Sequence, residues 1–288
     1  MIMNRNLRVC VVFLMMVCIA SYLLVPAVPD VSAGPKTYTI GVVPQFEQRK
    51  LHAAWKPIVE DLEKRTGLTF NLNSTLTIDA FERAIERGEF DFLYLNPYHL
   101  VQVHDSQGYI PLVADKEALR GILVVRKESA VRSPAELNGK VVAFPSPNAI
   151  GATLLPKSDL GQLFQATVTP LYVKTHSSVY LHVVKDLAAA GGGVEKTLQE
   201  QSEAIRGALR IIYRTRSFPS HPVAAHPRVP ADIREKVRKA FLSMNDSPEG
   251  RAMLQNVPVG KFIPVSYDDY AVMSAWGLEK FWKPVKED

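Results

Sequence analysis

Cysteine is nearly missing from this chain. Of 288 residues, the two thiols are Cys10 and Cys18, and both fall inside an N-terminal apolar run. Without that run the chain has no disulfide, no thiolate metal site and no cysteine nucleophile, so its stability must come from an ordinary core. Catalytic signatures are missing as well: there is no G-x-S-x-G elbow, no H-E-x-x-H, no G-x-x-x-x-G-K-[ST] and no G-x-G-x-x-G. The histidines are His52, His99, His104, His176, His182, His221 and His226. None of them forms the i, i+4 pair that sets two metal ligands on one helical face, and most are expected to be surface or capping residues. No metal site and no cofactor is expected. No basic block gives a nucleic-acid footprint, and no repeat or low-complexity segment is present.

The N-terminus carries what the rest lacks. Arg5 and Arg8 precede an apolar run from Val9 to Val25, and Val31-Ser32-Ala33 follows. This order is that of a secretory signal. Residues 1–33 are read as the signal peptide, with cleavage after Ala33, Gly34 as the mature N-terminus and export from the cytoplasm. An uncleaved anchor helix is the alternative, because the apolar stretch approaches the ~20 residues that span a bilayer. Cys18 follows Met15-Met16-Val17, which does not suit a lipid anchor. Removing residues 1–33 takes two of the 34 Lys+Arg and one of the 29 Asp+Glu, leaving 32 against 28. That mild excess suits attraction to small anions. The remaining length allows one large or two smaller domains.

Short β-rich runs alternate with helical patterns from Tyr38 onward. Strands are predicted at 38–43, 90–95, 110–113, 121–126, 140–144, 168–173 and 209–213. Leu51, Trp55, Ile58, Val59 and Leu62 share one helical face, as do Ile78, Phe81 and Ile85. The alternation implies an α/β fold with mostly parallel sheet. Ser133-Pro134-Ala135-Glu136 reads as a capping box, and Asn96-Pro97 opens a helix just after a strand. Gly191-Gly192-Gly193 reads as a tight strand-to-helix turn. Helices are expected at 232–244 and 267–282, with a shorter one opening at Ser247-Pro248-Glu249.

Five loops at strand ends hold the candidate binding groups: Pro44 to Gln48, Leu95 to His99, Pro145 to Ala152, Lys174 to Tyr180, and Gly191 to Val194. Hydroxyls and free helix N–H groups suit an oxyanion, whose oxygens accept several hydrogen bonds at once. Each such residue taken alone is more often a helix cap. The signal is their coincidence at the carboxyl ends of strands, where open α/β sheets bind ligands. Only Glu47 offers a carboxylate in these loops.

The runs Tyr38-Thr39-Ile40-Gly41-Val42-Val43-Pro44, Phe90-Asp91-Phe92-Leu93-Tyr94-Leu95-Asn96-Pro97-Tyr98, Ser133-Pro134-Ala135-Glu136-Leu137-Asn138-Gly139-Lys140 and Thr175-His176-Ser177-Ser178-Val179-Tyr180, in this order, resemble the phosphate/phosphite/phosphonate-binding family of ABC-transporter periplasmic proteins. The likeness covers roughly residues 37–285. It implies a type II periplasmic-binding fold, two α/β lobes joined by a two-strand hinge. Residues 37–125 plus 219–288 would form lobe 1 and 126–218 lobe 2, with Arg126 and Ser217 near the hinge.

The resemblance also implies the ligand-binding residues: Ser146, Asn148, Ala149, Gly151, Ala152, His176 and Ser177 from one lobe, with Gln45 and Tyr98 opposite. Two positions depart from the family pattern. The hydroxyl-rich helix start is here Pro147-Asn148-Ala149-Ile150-Gly151-Ala152, and the glycine run stands where relatives commonly offer an acid to a ligand amine. These departures point to a small oxyanion rather than an aminoalkylphosphonate. The expected activity is capture of such an oxyanion by a monomer that serves the membrane permease of an ABC transporter, without chemical transformation. A sensing partner of a membrane histidine kinase and an exported enzyme of the same fold are the alternatives.

Overall fold

The computed structural model describes residues 36–73, 77–257 and 259–284. The expected signal segment, residues 1–33, lies outside them. Eleven strands are found among the described residues, in chain order β1 (Thr37–Val42), β2 (Thr69–Asn73), β3 (Phe92–Tyr94), β4 (Ile110–Asp115), β5 (Leu119–Arg126), β6 (Val141–Phe144), β7 (Thr169–Tyr172), β8 (Ala190–Val194), β9 (Leu209–Phe218), β10 (Pro222–Ala225) and β11 (Phe262–Pro264). They form a six-stranded sheet, β11-β4-β10-β3-β1-β2, and a five-stranded sheet, β7-β6-β8-β5-β9. Both sheets are mixed. β1 runs parallel to β2 and β3, whereas β10 is antiparallel to β3 and β4. β6 is parallel to β7 and β8, while β5 is antiparallel to β8 and β9. β5 and β9 pair along their length in the second sheet, so the chain passes between the sheets at 116–118 and again at 219–221. Arg126 pairs with Leu209 at the end of β5 remote from those crossings.

Helices cover the sheets where the apolar spacing predicts. The helix Gln48–Thr66 buries Leu51, Trp55, Ile58, Val59 and Leu62, and Trp55 packs 4.8 Å from Tyr94. Asn96 caps the helix Pro97–Gln102 by accepting from the Tyr98 N–H at 2.9 Å. The capping box at Ser133–Glu136 forms, on a 3₁₀ turn. Apolar residues from both sides meet: Leu119, Ile150, Leu154, Val194 and Phe218 are buried in one cluster with Tyr94 and Leu95.

Three expectations are corrected. The glycine run is a buried central strand, β8, rather than a turn. It has glycine because a Cβ on Gly192 would meet the Ala152 carbonyl at 1.9 Å, and one on Gly193 would meet the Tyr180 hydroxyl at 2.3 Å. The expected mostly parallel arrangement gives way to mixed sheets, since the crossing strands return antiparallel. The helix expected over 267–282 is instead a turn of α-helix at Asp268–Ala271 and two 3₁₀ turns, broken by Gly277 at φ +67°. β2, β10 and β11 were not anticipated. Thr69–Asn73 and Pro222–Ala225 are too short for an alternating pattern to stand out, and proline or asparagine lies in them.

Candidate functional site

Between the two sheets lies a small cavity of about 10 Å³, lined by Gln45, Tyr94, Leu119, Val194, Lys196, Thr197, Ser220 and His221. That is space for about one water. Gln45 follows β1, Tyr94 ends β3, and Ser220 and His221 lie on the second crossing, all beside the six-stranded sheet. Leu119, Val194, Lys196 and Thr197 come from β5, the end of β8 and the helix Glu195–Gln199, beside the five-stranded sheet.

The lining is tied together by directional bonds. Gln45 Nε2 lies 3.0 Å from His221 Nε2, and the Tyr94 ring stacks on His221 with centroids 5.4 Å apart. Thr197 Oγ1 lies 2.8 Å from the Tyr180 hydroxyl and 3.3 Å from His176 Nδ1. The Ser220 hydroxyl donates to the Asp115 carbonyl at 2.6 Å, and Tyr270 donates to the Ser220 carbonyl at 3.2 Å. Lys196 forms an ion pair with Asp115, whose side chain is almost wholly buried.

Burial keeps the imidazoles neutral at physiological pH. It lowers His176 to about 4. It also lowers His221 to about 3, with electrostatic repulsion from neighbouring basic groups, Lys196 among them, adding to the effect. Desolvation disfavours the charged ring in each case. Burial, then Asp115, pushes the Tyr94 phenol upward. The cleft is thus a set of neutral donors with one ammonium and no lining carboxylate. General acid–base chemistry has no carboxylate to draw on here.

The sequence-expected residues divide. Gln45 lines the cavity, and His176 stands directly behind it at Thr197. Ser177 is half-buried in the same first helical turn as His176. Gly151 lies against Val194, since a Cβ there would come 2.9 Å from Val194 Cγ2, and within the turn Ile150–Leu154 that it shares with Ala152 both are buried. Ala149 precedes that turn. Ser146 is buried with an unpartnered hydroxyl, and its carbonyl accepts from Thr153 Oγ1 at 2.6 Å.

Asn148 is engaged with protein. Its Nδ2 donates to Glu82 Oε2 and to the Lys283 carbonyl, both at 2.8 Å, and its Oδ1 accepts from the Lys283 N–H at 2.9 Å. Its carbonyl accepts from Asn96 Nδ2 at 3.3 Å. Tyr98, 1% exposed, packs edge-on to Trp282 with centroids 5.6 Å apart. Neither Asn148 nor Tyr98 is among the residues that line the cavity.

Sequence reasoning missed Tyr94, Lys196, Thr197, Ser220 and His221. Most histidines were expected at the surface or as caps, but His99, His176 and His221 are buried. His99 Nε2 lies 2.9 Å from Glu82 Oε1, out of line for a hydrogen bond. The available signal was position alone: Lys196 and Thr197 stand just past the glycine run, and Ser220 and His221 just past β9. Among the described residues no group of three or more His, Asp or Glu could hold a metal ion.

Solved structures share this architecture. A binding-protein component of an ABC phosphonate transporter from Pseudomonas aeruginosa superposes with TM-score 0.73 at 15% identity, over 86% of each chain. PhnD1 from Prochlorococcus marinus, solved with methylphosphonate, gives TM-score 0.77 at 13% identity over 85% of this chain and 98% of its own. An ancestral arginine-binding protein gives 0.54 at 14% identity, over 76% of this chain and 96% of its own. The fold is that of type II periplasmic binding proteins. Residues 40–270 match the family described as ABC transporter, phosphonate, periplasmic substrate-binding protein. Its members are the substrate-binding components of transporters and not enzymes, they act in the periplasm, and they work with a membrane permease. The chain therefore belongs to the periplasmic substrate-binding proteins of phosphonate ABC transporters.

Proposed function

We propose that the cavity between the sheets is the ligand site and that it captures a small oxyanion of the phosphate, phosphite or phosphonate class for delivery to the permease. The observation that carries this is its lining: hydroxyl, amide and neutral imidazole groups converge with the Lys196 ammonium, and no carboxylate faces in. Such a set satisfies several oxyanion oxygens and repels none. Gln45, His176 and Ser177 are the sequence-expected residues that serve it. Ser146, Ala149, Gly151 and Ala152 supply the helix start that lies against Val194, and Asn148 and Tyr98 hold the surrounding shell.

In this reading the chain forms two lobes, 37–118 with 219–284 and 119–218, divided at the chain crossings, where the sequence expectation was a boundary at 125; the pairing of β5 and β9 in one sheet supports it. Opening about those crossings admits the ligand, and the closed arrangement retains it. The mature protein begins at Gly34 and works as a monomer. Thermal-shift titration against phosphate, phosphite, methylphosphonate, sulfate, arsenate and molybdate tests the reading. A true ligand at a hundredfold excess over Kd adds about 2.7 kcal/mol of stability. Stabilisation by none of the phosphorus oxyanions would refute it.

A further inference from the structure

Lys196 is the lining group that carries a full positive charge, and its position is unusual. Its ammonium pairs with Asp115 and stands 3.9 Å from Glu117 Oε2, too far for a hydrogen bond. It lines the small cavity on one side and a wider groove of about 240 Å³ on the other, where Glu117, Arg120, Glu195 and Gln199 are its neighbours. An ammonium has three N–H donors. Asp115 takes one, so others remain for a ligand in the cavity.

The same pair occupies Asp115, a buried carboxylate just behind the lining residues Lys196 and Ser220. Asp115 Oδ2 is bound to Lys196, and Oδ1 accepts from the Lys261 N–H at 3.1 Å. Its side chain is 2% exposed. A ligand arm bearing its own cation would meet the Lys196 ammonium first, and would find Asp115 already neutralised. Like charges brought together in a water-poor cleft repel strongly.

We infer that Lys196 determines the charge specificity of the site, accepting oxyanions without a cationic arm and excluding aminoalkylphosphonates. This rests on the oxyanion reading of the cavity. Lys196 thereby has two roles: it holds the oxyanion, and it occupies the carboxylate that an ammonium arm would need.

The test is calorimetric titration of the mature chain with methylphosphonate and with 2-aminoethylphosphonate. The native protein should bind the first at least tenfold more tightly than the second. Lys196→Met should weaken methylphosphonate binding about tenfold or more, as loss of a charge-assisted bond requires. It should also narrow the gap between the two ligands by at least tenfold, because Asp115 is released. A Lys196→Met/Asp115→Asn double variant removes the unpaired carboxylate and covers the case in which the single variant fails to fold. In it methylphosphonate binding should stay weak, and the gain for the amine ligand should be lost.

If the double variant instead regains native affinity, the pair is purely structural and the inference falls. Equal native affinity for the two ligands, or a single variant unchanged in both affinity and ratio, also overturns it while leaving the oxyanion reading intact. A native protein that binds neither methylphosphonate nor phosphate overturns both.

Discussion

Asn148 offers a quantitative test of how the two sides of the molecule are held together. Its side-chain amide makes three hydrogen bonds, one to a Glu82 carboxylate oxygen and two to the Lys283 backbone. Glu82 is 4% exposed, so Asn148→Ala leaves a buried carboxylate oxygen without its donor. Stranding a buried polar partner costs about 1–3 kcal/mol, and more when it is charged. The Lys283 backbone is partly solvated and regains water, so Glu82 dominates the sum, and a loss of about 2–4 kcal/mol is expected. For a chain of this size that lowers Tm by roughly 4–16 °C. Denaturant unfolding of the unliganded mature chain measures it. In a Glu82→Gln background the same substitution should cost at most half as much, because a neutral amide is less costly to strand. A loss below about 1 kcal/mol, or an equal loss in both backgrounds, would refute the account of Asn148 as a buried cross-link.

Gly192→Ala should destabilise by several kcal/mol, since its Cβ would meet the Ala152 carbonyl at 1.9 Å, whereas Gly161→Ala, with nothing within 4 Å, should stabilise its helix by about 0.5–1 kcal/mol; parallel melts decide. His176 and His221, lowered by burial to about 4 and about 3, stay neutral when folded while the unfolded chain protonates near pH 6.5. The unfolded state then binds more protons, so stability is full above pH ~6.5 and falls as pH drops toward 4; His221→Gln should flatten that slope in denaturant titrations run from pH 7.5 to 4.5. Ser177→Ala should weaken oxyanion affinity about tenfold, while Ser133→Ala, which breaks a cap remote from the cavity, should cost ~1 kcal/mol of stability and leave Kd unchanged in calorimetry.

Local pattern was enough for much of the architecture. The spacing of Leu51, Trp55, Ile58 and Val59 identifies a helix that packs on a sheet, because a 3.6-residue period admits one buried face. Asn96 and Thr175 could be read as caps, since each satisfies an N–H two or three residues on. The order of strands and helices, together with four short runs, pointed to the family.

Tertiary structure decided what had no local period. Gly191–Gly193 carries no side chains to alternate, so its place as a central strand depends on Val179, Tyr180 and Ala152 pressing against it from distant parts of the chain. Asn148 and His221 were equally ambiguous, as an amide or an imidazole looks the same in sequence whether it faces a ligand, a carboxylate or water. Glu82 lies 66 residues from Asn148, and Gln45 lies 176 residues from His221. The Asn148–Glu82 bond is fixed by the meeting of the two sheets and the Gln45–His221 bond by the packing of distant segments beside the six-stranded sheet, and the cavity lies where the two sets of groups face each other.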